Sequence, residues 1–310
     1  MTRGENVGAR ATVRPRLSSD ALREPLDACA DGELAPNVAL ARLIVLADTK
    51  PQAEAALEAV RRARTAAPEA ERIAAAIALW RGTPRAWDTV KQVLDAADHA
   101  AMAQGASTWA ARFDGAARVS PEASAALYSL GRADLLEAAA QSIVRRLRCW
   151  GLTGPHCTVL DLGCGCGRLS AVLSPFVRWV TGVDVSAGML SAARARCRRL
   201  ANVSLVAVSG EDLSAFADGA FQLVLAVDVF PYLVSCAGCV AERHVSEACR
   251  VLAPGGSLLI LNYAYGLDEA AEAGEAIACA ERAGLQLVRA ARSDFELWDG
   301  RTFHFTRPEV

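Results

Sequence analysis

Apolar and polar positions follow two different periods along this 310-residue chain. Up to about residue 120 there is no strand-like alternation. Apolar residues recur instead at intervals of three and four, so that Leu40, Leu43 and Ile44, then Ala56, Leu57 and Val60, share helix faces. The spacing predicts a helical hairpin over 36–67 broken near Lys50 and Pro51, a third helix over 68–80 and a fourth over 84–103. Proline stands near each start and Gly82 or Gly105 near the later ends. No fixed-period repeat marks a helical array. From Ser120 the pattern changes. Ser120, Pro121 and Glu122 form a helix start, and an amphipathic helix is predicted over 134–150. Short apolar runs at 158–161, 179–184, 203–208, 222–227, 257–261, 286–291 and 302–306 then read as strands. Strand alternating with helix predicts an α/β unit with a mostly parallel, Rossmann-like sheet covered by helices on both faces. The expected division is a polar tail and all-α domain over 1–120, then the sheet-bearing domain over 121–310.

The candidate chemistry lies at the end of the first predicted strand. Residues 159–170 read VLDLGCGCGRLS: an apolar run, Asp161, then Gly163, Cys164, Gly165 and Gly167. Glycine at every second position lets the main chain turn tightly and lie against a nucleoside ligand. Asp184, at the end of the second strand, is placed to accept hydrogen bonds from two ribose hydroxyls. The dinucleotide fingerprint would need glycine where Arg168 stands, and no Gly-Lys-Ser/Thr follows for a phosphate loop. A carboxylate at the mouth of the turn repels a pyrophosphate and suits a ligand carrying an ammonium and a sulfonium.

These residues resemble the class I S-adenosylmethionine-dependent methyltransferases, over roughly the C-terminal 190 residues. The segment from Gly182 to Leu190 is similar to the family's second-strand segment, and that from Val208 to Leu213 to its adenine-contacting turn. The stretches 216–233 and 250–263 are similar to its fourth strand and to its helix, Pro-Gly-Gly turn and fifth strand. The resemblance implies a seventh, antiparallel strand and S-adenosylmethionine as cofactor. It also implies roles: Asp184 on the ribose, Glu211 or Asp212 on the adenine amino group, and Val185, Met189 and Leu213 around the adenine. Asp161 would hold the ammonium end, with the backbone of Gly163 and Asp228 beside it.

Methyl transfer from a sulfonium is an in-line displacement, and alignment alone can lower its barrier by about 7–11 kcal/mol. A base is needed only when the acceptor must lose a proton. No strong base stands out. Tyr232 and His304 are the weak catalytic candidates, and His244 reads as solvated. Acceptor contacts are expected from strand ends on the same rim: Tyr128, Phe230, Tyr232, Asn262 and Tyr263, with Trp298 and Arg301 from the last hairpin. The loop from Asp228 to Tyr232 departs from the Asn-Pro-Pro-Tyr box of enzymes methylating planar nitrogens, which argues against nucleic-acid bases and glutamine amides.

Composition narrows the acceptor and the compartment. A net charge of −2 offers no electrostatic footprint for nucleic acid, and no long apolar span predicts a membrane segment. The absence of a signal peptide predicts a cytoplasmic protein. Ten cysteines, among them Cys236 and Cys239 as a lone C-x-x-C pair, lack zinc-site spacing, so reduced thiols and no metal are expected. The expected enzyme methylates a small molecule, with a carboxylate or thioether sulfur favoured over an amine or hydroxyl. The helical part would cap the acceptor site or form a homodimer interface. A protein methyltransferase with a helical docking domain and a non-catalytic cofactor-binding sensor are the alternatives.

Overall fold

A computed structural model describes residues 18–97, 105–265, 268–291 and 294–309. The chain opens with helices α1 (Ser19–Asp31), α2 (Pro36–Leu46), α3 (Lys50–Ala63), α4 (Glu69–Gly82) and α5 (Ala86–Ala97). Then come α6 (Ala106–Val119), the short α7 (Pro121–Ala125), a 3-10 turn at Leu127–Ser129 and α8 (Ala133–Cys149). Two of these helices were not expected. The α1 helix begins inside the stretch read as a polar tail, with Ser18 capping it through Ala21 N at 3.2 Å. Gly105 begins α6 instead of ending the fourth helix. His99 and most of the polar tail lie outside the described residues.

The α8 helix buries Leu136, Ala139, Ala140, Ile143, Val144 and Leu147, a stripe at three- and four-residue spacing. Its last turn carries Arg146 and Arg148, whose charges complement the carbonyl end of the helix. Beyond it the elements alternate: β1 (Thr158–Leu162), α9 (Arg168–Leu173), β2 (Trp179–Asp184), α10 (Ala187–Cys197), β3 (Val203–Ala207) and β4 (Phe221–Val227). There follow α11 (Phe230–Val234), α12 (Val240–Val251), β5 (Leu252–Leu261), α13 (Glu269–Arg282), β6 (Gln286–Ala291) and β7 (Thr302–Thr306).

The seven strands lie in the order β3-β2-β1-β4-β5-β7-β6, and β7 alone runs antiparallel to its neighbours β5 and β6. Alternate residues of the central strands go to opposite faces, as the period of two requires. Leu223 and Leu225 join the core that holds Leu40 and Ile44 of α2, while Val224 and Ala226 pack with Val245 and Ala248 of α12. The first of these cores is continuous from α1 to the sheet and Trp298, so the helical half and the sheet share one interior. The Pro-Gly-Gly stretch does not separate a helix from a strand. It bulges within β5, where the pairing jumps from Phe221 with Leu252 to Leu223 with Ser257.

The strand order reverses between β1 and β4, and at such a switch point a cleft opens beyond the carboxyl ends of the strands. Among the described residues, no helix is long and apolar enough to cross a membrane.

Candidate active site

The loop after β1 enters the cleft in left-handed conformation, with φ of +67° at Gly163, +55° at Gly165 and +74° at Gly167. A Cβ on Gly163 would lie 2.6 Å from a Val229 methyl, so only glycine permits the close approach of this turn to the β4 end. Asp184, at the end of β2, is tied to the same loop. One of its carboxylate oxygens accepts from Gly165 N at 2.8 Å, the other from Ser186 N at 2.8 Å. Each oxygen keeps further acceptor capacity, and Asp184 lines the cavity. Burial raises its pKa, opposed by the backbone N–H groups it accepts from.

Asp161 sits beneath the loop, 2% exposed, and accepts from Ser170 Oγ at 2.6 Å. Burial pushes its carboxyl up to about 6, against the Ser170 hydrogen bond and the nearby Arg168 charge. Arg168, the first residue of α9, is 5% exposed. It donates to Tyr128 Oη at 3.0 Å and lies 3.6 Å from an Asp228 oxygen. Asp228 ends β4 and is bound in turn by Asn262 Nδ2 at 2.6 Å and Tyr265 Oη at 3.3 Å. The thiols of Cys164 and Cys166 are raised by burial and stay protonated.

The cleft is closed over by α6. Trp109 and Phe113, one helical turn apart, meet the Tyr232 ring edge-on at 4.7 and 5.0 Å between centroids. Asp114 of the same helix accepts from Ser186 Oγ at 2.6 Å and Gly188 N at 2.8 Å, capping α10 from outside. On the far side, Trp298 folds back over Gly300, where a Cβ would overlap its ring at 1.7 Å. Asn37 of α2 is 3% exposed and donates to the carbonyls of Tyr128 and Leu297, 3.2 Å from each. Arg42 of α2 pairs with Asp299. The resulting cavity has a volume of about 250 Å³.

Most of the residues expected from the sequence converge on this cavity. Asp161, Gly163, Cys164, Gly165, Asp184, Val185, Met189 and Asp228 line it, as do Tyr128, Tyr232, Asn262 and Trp298. Others do not. Gly167 instead starts α9 and packs on Ala193. Phe230 and Tyr263 stack on each other in the core, 5.6 Å apart and at most 4% exposed. Arg301 pairs with Glu272, which also fixes the turn at Tyr263 and Ala264 by accepting their N–H groups. Leu213 is a core residue. Glu211 faces Arg243 at 3.7 Å, and Asp212 accepts from the N–H and hydroxyl of Ser214, so neither carboxylate lines the cavity.

The histidines differ from expectation too. His304 is buried within the sheet with Nε2 2.9 Å from Ser257 Oγ, and burial lowers its pKa to about 4, so it is neutral and remote from the cavity. His244 is not solvated: it is 1% exposed, lines the cavity and has Nδ1 2.9 Å from the Val240 carbonyl. Sequence reasoning missed Trp109, Phe113, Asp114, Arg168, Tyr265 and Asp299. The i, i+4 aromatic pair of α6 was the available signal for the first two.

Comparison with known proteins agrees with this geometry. Residues 159–256 match the family model described as a methyltransferase domain. Demethylmenaquinone methyltransferase of Tropheryma whipplei (strain Twist) is 34% identical over 107 residues, covering 34% of this chain and 42% of that protein. Nodulation protein S of Rhizobium tropici is 31% identical over 108 residues, covering 34% of this chain and 43% of that protein. The chain thus spans less than half the length of these curated relatives. A solved structure of a SAM dependent methyltransferase from Aquifex aeolicus aligns at a TM-score of 0.44 and 21% identity, covering 57% of this chain and 94% of that one. Residues 159–256 thus carry a methyltransferase domain similar to those of the class I S-adenosylmethionine-dependent enzymes, and S-adenosylmethionine is the cofactor that such a domain implies. The residues fit that group. The Asp184 carboxylate suits a ribose diol, the left-handed glycine turn lays main chain along the cavity, and acidic Asp161 suits the cationic end.

Proposed function

We propose that this protein is an enzyme that transfers the cofactor's methyl group to a small-molecule acceptor bound at the Tyr128, Tyr232 and Trp298 end of the cavity. The observation that carries this reading is the enclosure itself. The α6 helix, the 3-10 turn and the β6–β7 connection wall in about 250 Å³ that is continuous with the glycine loop and Asp184. A recess of that shape favours a small acceptor over a flat protein surface. S-adenosylmethionine, when bound, supplies a methyl group activated by a sulfonium leaving group. Asp184 would hold its ribose, Val185 and Met189 would flank its adenine, and Asp161 and the loop would hold its amino-acid end. With Nδ1–H given to Val240, the neutral ring of His244 presents Nε2 as an acceptor, a candidate partner for the adenine amino group in place of Glu211 and Asp212.

The helical half works as the acceptor-side wall more than as a dimer interface, because Asn37 and Arg42 of α2 tie down the segments that carry Tyr128, Trp298 and Asp299. All ten cysteines are free thiols, which suits a reducing, cytoplasmic setting. The test is incubation with methyl-labelled cofactor and either a low-molecular-mass metabolite extract or a lysate protein fraction. Label is expected in the small-molecule fraction. Label found solely in protein would favour a docking methyltransferase, and cofactor binding without transfer in either fraction would favour a sensor.

A further inference from the structure

The acceptor end of the cavity carries a carboxylate whose setting is more elaborate than a strand end requires. Asp228 and Asn262 close the adjacent parallel strands β4 and β5, and both hold left-handed backbone, with φ of +58° and +68°. Asp and Asn are the side-chain residues that adopt that conformation most readily. Here it aims the two side chains at each other. Asn262 Oδ1 accepts from Arg301 N at 2.9 Å, which orients the amide so that Nδ2 donates to Asp228 at 2.6 Å.

The groups facing Asp228 from the elements packed against it are Arg168 of α9, Tyr128, Tyr232, Asn262, Tyr265 and Asp299. Most of them belong to the acceptor wall and not to the glycine loop. Asp161, Asp184, Asp228 and Asp299 line the cavity; the guanidinium of Arg168 is already shared between Tyr128 and Asp228, and that of Arg42 is taken by Asp299. Aromatic faces beside carboxylates attract a cation and repel an anion. An anionic acceptor carboxylate is therefore disfavoured, and a thioether offers Asp228 no N–H to accept.

Building on the reading of this cavity as a methyl-transfer site, we propose that the acceptor is a small amine that enters as its ammonium ion, with Asp228 binding the nitrogen and taking its proton. One N–H bond breaks and its proton passes to the Asp228 carboxylate, leaving the lone pair on nitrogen. That pair forms the new N–C bond as the C–S bond breaks, its electrons staying on sulfur. The products are the N-methylammonium ion, S-adenosylhomocysteine and a protonated Asp228, which returns its proton to solvent. Burial first, and the Asp299 charge, raise the Asp228 carboxyl to about 6 against Arg168 and Asn262. It is thus ionised and able to act as base above about pH 6, and protonated and inert below.

The test needs no knowledge of the natural acceptor. The full-length protein loaded with S-adenosylhomocysteine is titrated calorimetrically at pH 8 with benzylamine, phenethylamine and tyramine, and with benzyl alcohol, phenylacetate and thioanisole. At least one amine is expected to bind ten times more tightly than the alcohol, carboxylate and thioether, and to accept labelled methyl at a rate rising with pH through about 6. Asp228→Asn should weaken that amine tenfold or more and flatten the pH profile, with S-adenosylhomocysteine affinity changed less than twofold. Equal or tighter binding of the carboxylate or thioether, or binding of none of the amines, overturns the proposal in the unmodified protein, whatever the variant's folding. A parallel loss of S-adenosylhomocysteine affinity in the variant overturns it as well, making Asp228 a cofactor ligand. Failure of the unmodified protein to bind S-adenosylhomocysteine would instead sink the methyl-transfer reading beneath it.

Discussion

Asp184 ties the glycine loop to the end of β2: its two oxygens accept from the N–H groups of Gly165 and Ser186, and the proposed ribose contact draws on the acceptor capacity they keep. Hydrogen bonds to a charged acceptor are worth about 1.5–3 kcal/mol each, so losing two exceeds a factor of ten in affinity. Asp184→Ala is expected to weaken S-adenosylhomocysteine binding more than tenfold by calorimetry. The two backbone N–H groups left without it should lower the melting temperature modestly, offset in part by removal of a buried carboxylate whose raised pKa marks an unfavourable charge. Unchanged affinity in a folded variant would remove Asp184 from the ribose. This residue was legible from sequence because an acid at the end of an apolar run has few structural reasons to be there. Arg168 was not legible in the same way. An arginine after a glycine loop reads as a solvated helix start, and only the fold brings it against Tyr128, 40 positions earlier. Phe230 and Tyr263 failed for the opposite reason, since an aromatic at a strand end fits a rim and a core equally well, and packing chose the core.

At the scale of elements, the expected strands over 179–184, 286–291 and 302–306 coincide with β2, β6 and β7, because apolar runs bounded by turn residues leave little freedom. The α6 helix escaped notice since alanine and polar residues dilute its apolar face, although Trp109 and Phe113 carry the contact with Tyr232. Helix α2 was expected, but its role was not: the buried amide of Asn37 bridges the Tyr128 turn and the Leu297 carbonyl, and Arg42 adds a pairing with Asp299. A buried donor of this kind is worth about 0.5–1.5 kcal/mol per bond, and more when its partners are left unsatisfied. Asn37→Ala should therefore lower stability by about 1–3 kcal/mol and loosen Tyr128 and Trp298 while sparing the loop and Asp184. In steady-state kinetics the Michaelis constant for the acceptor is expected to rise severalfold, with that for S-adenosylmethionine changed less than twofold. Equal effects on both substrates would mean that α2 supports the fold in general and not the acceptor wall.

At the scale of the whole molecule, one interior runs across the point where the composition changes. The change of period at Ser120 suggests a boundary, and every cofactor motif lies beyond it, so sequence alone would expect a chain beginning there to keep its cofactor. The interior argues otherwise. Tyr128, Leu130 and Trp298 are at most 7% exposed and belong to one core with α1, α2 and α5. Removing those helices returns three large side chains to water at about 1.5–3 kcal/mol each, together about 5–9 kcal/mol, against a total stability of roughly 5–15 kcal/mol. The same cut removes Asp114 from the start of α10, where Gly188 approaches it, and strips Trp109 and Phe113 from Tyr232. A shortened chain beginning at Ser120 is therefore expected to melt roughly 10–30 °C below the full protein, or not to fold. Its affinity for S-adenosylhomocysteine should fall more than tenfold, because the cavity loses one wall with α6 even though Asp184 and the glycine loop remain. Thermal denaturation and calorimetry on the two chains decide the matter. A stable short chain with full cofactor affinity and no acceptor turnover would show that the helices form a detachable cap, and that the shared core contributes little to holding the sheet together.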